Sequence, residues 1–284
     1  MSSKQTQMAR LQAAMRDCKD PVSFFLLSLL AKLVIALHFK KVDIRGKENL
    51  PATGPFICIA NHSSRWDGPT LGRIIDRPAN FMVSPNELQG LQGFLLSRVG
   101  AFPAHPKLDF VSHVMQQFKK GEPFVIFPEG NVFYDGHTHP FKKGIARIAF
   151  AAHQNNIEVP IVPVGITYED GVAHYNFGQA ISIDDYAADL QINSAAAAKR
   201  LTTSLHREVC YLRSELGCLA DRRQLDQIDA HHFIALAEPV IALAEPVIAV
   251  VKPVIAVGNA DLIVTESLNV PTTCPTSSKA ATCT

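Results

Sequence analysis

A histidine and an aspartate five positions apart, His62 and Asp67, carry the most specific chemistry in this sequence. They follow a short apolar run, 55–60, that stops at a polar turn. Histidine exchanges protons near neutral pH, and a carboxylate on its second ring nitrogen would fix the tautomer and stabilise the imidazolium. Open α/β sheets place such groups just past the ends of buried strands. The pattern predicts a general base at His62 oriented by Asp67; the alternative is a surface turn with a capping aspartate.

A second polar turn follows another buried run. The apolar residues 124–127 suit a parallel strand buried on both faces, and Pro128, Glu129, Gly130 and Asn131 come next. This arrangement repeats the first one, with a charged group in the turn after a strand. A loop then leads to a basic stretch at 140–144.

The elements that must position these turns alternate between strands and helices. Strands are predicted at 42–45, 55–60, 81–83, 124–127, 159–166 and 175–183, and helices at 3–17, 68–76, 88–100, 110–120, 145–154 and 195–217. The prolines within 159–166 indicate an edge strand or a bulge. The alternation predicts an α/β domain over residues 41–220, with a mixed, largely parallel sheet flanked by helices.

The predicted helix at 22–39 is apolar nearly all round, with Lys32 inside it and Asp20-Pro21 as a good start signal. Its length is at the bottom of the membrane-spanning range, and a lysine near its centre is costly in hydrocarbon. Three interpretations remain: a helix lying in the bilayer interface, a core helix, or a true span. The flanking Lys40, Lys41 and Arg45 suit an anionic cytoplasmic leaflet, so residues 1–40 are predicted to be a membrane-interface anchor.

The C-terminal stretch 221–284 has a different character. A seven-residue unit at 234–240 recurs at 241–247 and, imperfectly, at 248–254. Each copy contains a proline, which excludes a continuous coiled coil. The unit is either a duplication without function or a weakly apolar segment that rests on membrane or on the domain. Residues 271–284 are rich in Thr, Ser, Pro and Ala and predict disorder, so this stretch is expected to be an irregular tail.

The bulk composition narrows the class of protein. The chain has 284 residues, 47% of them hydrophobic, which suits one domain with extensions. A net charge of +1 gives no global field for nucleic acid, and no nucleic-acid-binding pattern is present, so no nucleic-acid partner is expected. Six scattered cysteines without a C-x-x-C pair fit reduced thiols in a cytosolic compartment.

Five segments together resemble the glycerolipid acyltransferases, in particular the lysophosphatidic acid acyltransferase group. The turn from Asn61 to Asp67 resembles the first motif of that family. Gly100-Ala101-Phe102-Pro103 stands in the place of the second, Phe127-Pro128-Glu129-Gly130 resembles the third, and the stretch at 159–164 resembles the fourth. Residues 140–144 are similar to the segment that follows the third motif. The order and spacing of these five segments agree with those of the family motifs across residues 42–180.

The resemblance implies a glycerol-3-phosphate acyltransferase-like fold and a reaction. A fatty acyl group would pass from acyl-CoA or acyl carrier protein to the hydroxyl of a lysolipid acceptor, 1-acylglycerol-3-phosphate above all, giving phosphatidic acid in phospholipid biosynthesis. His62 would be the base, while Glu129, Gly130 and Asn131 would bind the acceptor. No cofactor or metal is expected, although Asp135, His137 and His139 have possible zinc-binding spacing. The protein would work at the cytoplasmic face of a membrane, peripherally or as a monotopic protein.

Two departures from the family pattern concern arginines suited to gripping phosphate. Neither 102–107 nor 131–133 contains an arginine where the family commonly has one. Three lysines and one other arginine are predicted to substitute for these missing arginines. They are Lys107, Lys142 and Lys143, with Arg147 as a further candidate. Three alternatives stay open: a lysolipid or glycolipid acceptor without the phosphate, a tafazzin-like transacylase, and a lipid-binding protein without catalysis.

Overall fold

The computed structural model describes residues 3–225 of the chain, with side chains from residue 8 onward except at 187–188. The predicted repeat at 234–254 and the predicted disorder at 271–284 lie outside the described residues and stay predictions.

Helices and strands alternate through the described chain, as the sequence predicts. The helices are α1 Ser3–Ala14, α2 Pro21–His38, α3 Asp67–Ile75, α4 Gly90–Arg98, α5 Phe110–Lys119, α6 Gly144–Gln154, α7 Asp184–Ile192 and α8 Ser194–Glu215. The strands are β1 Lys41–Arg45, β2 Ile57–Ala60, β3 Asn80–Val83, β4 Ala101–Pro103, β5 Phe124–Ile126, β6 Ile161–Glu169 and β7 Val172–Phe177. Short 3₁₀ turns occur at Lys47–Asn49 and Pro85–Leu88.

The strands form one sheet in the order β1-β7-β6-β2-β5-β3-β4. Every neighbouring pair is parallel except β6 and β7, which confirms a mixed, largely parallel sheet. In the centre of the sheet, Ile57 of β2 is in register with Phe124 of β5 and with Ile161 of β6. The carboxyl ends of β6, β2 and β5 therefore meet at one edge, where open α/β sheets place their sites.

The prediction that 159–166 forms an edge strand is wrong, because β6 lies inside the sheet between β7 and β2. Pro163 is tolerated there because its missing N–H falls one residue before the β6–β7 register begins at Val164. The alternative of a bulge stays a prediction. The predicted strand 175–183 ends early at Phe177, and only Ile181 adds an isolated bridge, to Ile161.

The core lies on both faces of the sheet. Along β2, Ile57 and Ile59 belong to one buried cluster, while Cys58 and Ala60 belong to the other, as strand alternation requires. The predicted inward face of α8 is confirmed, because its apolar side chains at helical spacing are buried. Those side chains are Leu201, Leu205, Val209 and Leu212.

Helix α2 lies on the outside of the domain. Asp20 caps it by accepting a hydrogen bond from the Ser23 N–H at 2.8 Å, as predicted. Of its residues only Ile35 is buried, so the core-helix interpretation is wrong. Among the described residues, α2 is the one helix whose length and composition would suffice to cross a membrane.

Candidate active site

Asn61 sets the direction in which the chain leaves β2. Its side-chain amide donates to the Ile166 carbonyl at 3.0 Å, and its side-chain oxygen accepts the Ile166 N–H at 2.8 Å. The Asn61 side chain thus takes the place of a backbone group and continues the hydrogen bonding between β2 and β6 beyond Ala60 and Val164. The backbone turns away from the sheet at this point, which places His62 at the carboxyl edge.

His62 and Asp67 are directly hydrogen bonded, with 2.8 Å between Nδ1 and Oδ2. Asp67 is the first residue of α3 and is fully buried, and its Oδ2 also accepts the backbone N–H groups of Ser63 and Ser64 at 2.9 and 2.8 Å. A carboxylate can only accept hydrogen bonds, so His62 carries its proton on Nδ1 and leaves the Nε2 lone pair free. The geometry is that of an oriented base.

The two polar turns interlock around His62. The imidazole stacks on the Phe127 ring, with 4.1 Å between centroids and 13° between planes. The backbone N–H of His62 donates to Glu129 Oε1 at 3.1 Å, and the backbone N–H of Phe133 donates to the His62 backbone carbonyl at 2.8 Å. These contacts fix the position of the histidine between the ends of β2 and β5.

Glu129 is 4% exposed, and its Oε2 has no hydrogen-bond partner among the described residues. Burial raises the pKa of this carboxyl to about 7, although its hydrogen bond from the His62 N–H opposes the shift. The contact ties the second turn to the first. Glu129 is therefore a link between the turns, and its predicted role in acceptor binding stays a prediction.

A cavity of about 1090 Å³ opens beside His62. Its walls are mainly apolar and come from α2, α3, α4, β3 and the two turns. The apolar side chains include Phe24, Leu27, Phe81, Met82, Leu95 and Leu96. A large, mostly apolar cavity with a few polar groups suits a ligand with a long hydrocarbon part.

Basic groups also line this cavity. Arg65 lies in the turn between His62 and Asp67, and its side chain is 77% exposed. Lys142 lies against Gly130, because a Cβ on that glycine would come within 2.2 Å of the lysine Nζ. Gly130 and Asn131 line the cavity as well.

Not all predicted substrate-binding residues reach the cavity. The exposed Lys107, Lys143 and Arg147 are not among its lining residues, and Arg147 covers the Phe110 ring instead. Sequence reasoning missed Arg65, although its position inside the His62–Asp67 turn was the available signal.

The loop that follows Gly130 contains the residues with possible zinc-binding spacing. His139 Nε2 lies 2.8 Å from Asp135 Oδ2, and the His139 ring stacks on Phe133. Within residues that the structure describes, no group of three or more His, Cys, Asp or Glu side chains is arranged to hold a metal ion.

Arg213 of α8 fastens this loop to the sheet. Its guanidinium donates to the Ile166 carbonyl at 3.1 Å, to Thr138 Oγ1 at 2.6 Å and to the Gly136 carbonyl at 3.2 Å. Asp221, fully buried in the helical segment 219–225, completes the cluster at 2.6 Å. No local pattern in the sequence indicates this network.

The fold and the site define an α/β domain with a histidine–aspartate pair at the carboxyl edge of its sheet. The family model described as Acyltransferase matches residues 41–167, which confirms the resemblance of this part of the chain to that family. A chloroplastic 1-acyl-sn-glycerol-3-phosphate acyltransferase, BAT2 of Brassica napus, is 32% identical over 138 residues, covering 44% of this chain and 37% of the relative. The human 1-acyl-sn-glycerol-3-phosphate acyltransferase alpha is 28% identical over 152 residues, covering 48% of this chain and 51% of the relative.

A solved structure shares the fold. The 1-acyl-sn-glycerophosphate acyltransferase PlsC of Thermotoga maritima superimposes with a TM-score of 0.51 at 18% identity, covering 66% of this chain and 79% of that one. The chain spans between about a third and a half of the lengths of the two sequence relatives.

Proposed function

We propose that this protein transfers a fatty acyl group from an acyl thioester to the free hydroxyl of 1-acylglycerol-3-phosphate, giving phosphatidic acid. The observation that carries the proposal is the His62–Asp67 pair at the wall of a large apolar cavity. The names of the sequence relatives support the choice of acceptor. Acyl-CoA and acyl carrier protein thioesters are the two donors proposed.

In the proposed reaction, His62 Nε2 removes the proton of the acceptor hydroxyl while that oxygen attacks the thioester carbonyl. Asp67 stabilises the imidazolium, which then returns the proton to the departing thiolate sulfur. General base catalysis of this kind contributes about 10²–10⁴-fold. The thioester is already activated, so the mechanism needs no acyl-enzyme intermediate.

Arg65 and Lys142 are the proposed partners of the acceptor phosphate. Both line the cavity together with His62. The Arg65 guanidinium lies 3.8 Å from the Glu87 carboxylate, a loose and exposed pair that leaves its planar donors available. A guanidinium binds phosphate with two parallel hydrogen bonds, whereas the ammonium of Lys142 acts as a point charge. These two cations would replace the arginines that the family pattern leads one to expect elsewhere.

Helix α2 supports a membrane location. Phe24 and Leu27 line the cavity, while Phe25 and Leu26 on the other side of the helix are 68% and 57% exposed. One helix thus contacts both the cavity and the surroundings of the domain. Lying in the interface of the cytoplasmic leaflet, α2 would bring the cavity opening to the lipid acceptor.

The proposal is tested with the full chain and liposomes that contain lysophosphatidic acid, monoacylglycerol or lysophosphatidylcholine, each with labelled acyl-CoA or acyl carrier protein thioester. We expect labelled phosphatidic acid, and at least about a 10²-fold loss in His62→Ala. Arg65→Gln should raise the KM for lysophosphatidic acid and leave that for any neutral acceptor unchanged.

Three outcomes contradict parts of this proposal. Undiminished transfer by His62→Ala would contradict the assignment of His62 as the general base. Use of monoacylglycerol as efficiently as lysophosphatidic acid would contradict the proposal that the acceptor carries a phosphate. Transfer from labelled phospholipid with no thioester present would identify a transacylase instead.

A further inference from the structure

The buried side of Asp67 holds a contact that the proposed reaction does not yet use. Tyr168, near the end of β6, donates its hydroxyl hydrogen bond to Asp67 Oδ1. The Tyr168 hydroxyl lies 3.1 Å from that of Tyr175 on the neighbouring strand β7. A continuous line of hydrogen bonds therefore runs from His62 at the cavity wall through Asp67 and Tyr168 to Tyr175 in the core.

The direction of the Tyr168 hydrogen bond follows from chemistry. An ionised carboxylate has no proton to donate, so the hydroxyl must be the donor. Burial and the negative charge of Asp67 raise the pKa of Tyr168 well above its usual range. Burial likewise raises the pKa of Tyr175, which is fully buried. Both hydroxyls therefore stay protonated at neutral pH.

Tyr168 supplies the one hydrogen bond that Asp67 Oδ1 receives from the described residues. Three donors already converge on Oδ2, namely His62 Nδ1 and two backbone N–H groups. Without the tyrosine hydroxyl, Oδ1 would be buried with no partner, and the carboxylate would rotate toward another donor. This rotation would weaken the hydrogen bond that Asp67 accepts from the His62 Nδ1–H.

The Tyr168 ring is itself held in place. Phe39, the residue after α2, stacks on it with 5.6 Å between centroids and 21° between planes. Phe39 also meets the Trp66 ring edge-on, at 6.0 Å and 77°. These ring contacts do not involve the hydroxyl, so a phenylalanine at position 168 would preserve them.

We propose that Tyr168 is a positioning residue for proton transfer: its hydroxyl fixes the Asp67 carboxylate, which in turn fixes the His62 tautomer and orientation. The effect on rate rests on the proposed function; the effect on the His62–Asp67 hydrogen bond does not. Tyr175 in turn holds Tyr168 in position through the contact between their hydroxyl groups. Nothing in the sequence near the His62–Asp67 turn indicates this role, because Tyr168 lies 101 positions away from Asp67.

The test compares Tyr168→Phe, Asp67→Asn and the double variant. In metal sites, groups that orient a ligating histidine are worth about 10–100-fold in activity or metal affinity, which sets the scale used for His62. We expect Tyr168→Phe to lower kcat about 10-fold with KM for the acceptor unchanged. It should have no further effect in the Asp67→Asn background, because it acts through that carboxylate. Tyr211→Phe, which removes a half-exposed hydroxyl on α8, is the control and should keep full kcat.

A spectroscopic measurement separates this proposal from the proposed function. The downfield proton NMR signal of the His62 Nδ1–H should shift or broaden in Tyr168→Phe, whether or not the protein transfers acyl groups. An unchanged signal, full kcat, or a loss that adds to that of Asp67→Asn would overturn the positioning role. If Tyr168→Phe does not fold, Tyr175→Phe gives the same test, with an expected kcat loss smaller than that of Tyr168→Phe, since it acts one hydrogen bond further away.

Discussion

The imidazole of His38 stacks on the indole of Trp66, with 4.2 Å between ring centroids and 27° between planes. His38 is the last residue of α2, and Trp66 immediately precedes Asp67. The contact therefore joins the end of the exposed apolar helix to the turn that holds the histidine–aspartate pair. A change in the position of α2 would therefore alter the packing of Trp66 in that turn.

Replacing His38 tests this contact, because Trp66 is the only tryptophan in the chain and its fluorescence reports on this place alone. His38→Ala uncovers one face of the indole, so we expect emission at longer wavelength with unchanged circular dichroism. His153→Ala, in α6, is the matched control and should leave the spectrum as it is. An unaltered emission maximum in His38→Ala would contradict the stacking.

Glu129→Gln should change how stability depends on pH. Burial raises the pKa of Glu129 from 4.5 to about 7, so the folded protein keeps a proton that the unfolded chain releases. The stabilisation from this group is complete below pH 4.5 and is lost as pH rises through about 7. At about 1.4 kcal/mol per pKa unit, the free energy of unfolding should fall by at most about 3 kcal/mol more in wild type than in the variant.

Urea unfolding at several pH values between 4 and 8 measures this difference for Glu129→Gln. Parallel stability curves for wild type and variant would show that the carboxyl titrates as in the unfolded chain.

Gly130→Ala should combine backbone strain with a shifted lysine. Gly130 has φ +73°, and a Cβ there would meet the end of the Lys142 side chain. The strain costs on the order of 1–2 kcal/mol of stability. Displacing Lys142 should also raise the KM for lysophosphatidic acid.

Gly136→Ala is the control for the Gly130 variant. Its φ is +78°, and a Cβ there would meet nothing within 4 Å. It should therefore lose similar stability while its KM stays at the wild-type value. Equal KM values for both variants would argue against Lys142 as a phosphate partner.

The exposed face of α2 should bind lipid. Leu29 and Leu33 are each 57% exposed, so Leu29→Ser and Leu33→Ser remove apolar surface without opening the core. We expect each to reduce co-sedimentation with anionic liposomes, by up to about 1.5–3 kcal/mol for full insertion of the side chain, and to leave the melting temperature unchanged. Ile192→Ser, with 85% exposure on α7, should sediment like wild type. Identical sedimentation of all variants would remove α2 from the membrane contact.

Local patterns in the sequence predicted a large part of this fold. Periodicity located α8 and its buried face, and the apolar runs located β2 and β5. The strand β4 was missed because its three residues are too few to show alternation, and α7 was missed because its sequence lacks a clear apolar stripe. Both depend on tertiary packing.

The candidate site was predictable where it is local. His62 and Asp67 lie in one turn, and their contact follows from that turn together with the start of α3. Tyr168 reaches Asp67, and Arg213 reaches the loop after Gly130, only through strand order and helix packing over long stretches of chain. A single sequence contains no signal for such contacts. The roles predicted for Lys107 and Lys143 rested on their charge and on their positions in the family motifs. The missing information was their position in space, because neither side chain lines the cavity.

The Arg213–Asp221 pair sets a lower limit on the length of a self-sufficient domain. The predicted domain 41–220 remains a prediction, and a chain cut after residue 220 would lose Asp221 and leave Arg213, 3% exposed, as a buried charge without its carboxylate. Loss of one partner of a buried pair costs about 3–5 kcal/mol, a large share of the stability of a typical domain. Chains ending at 220 should therefore have a lower melting temperature than chains ending at 229. A few residues outside every recognised motif would then decide whether an excised domain folds stably.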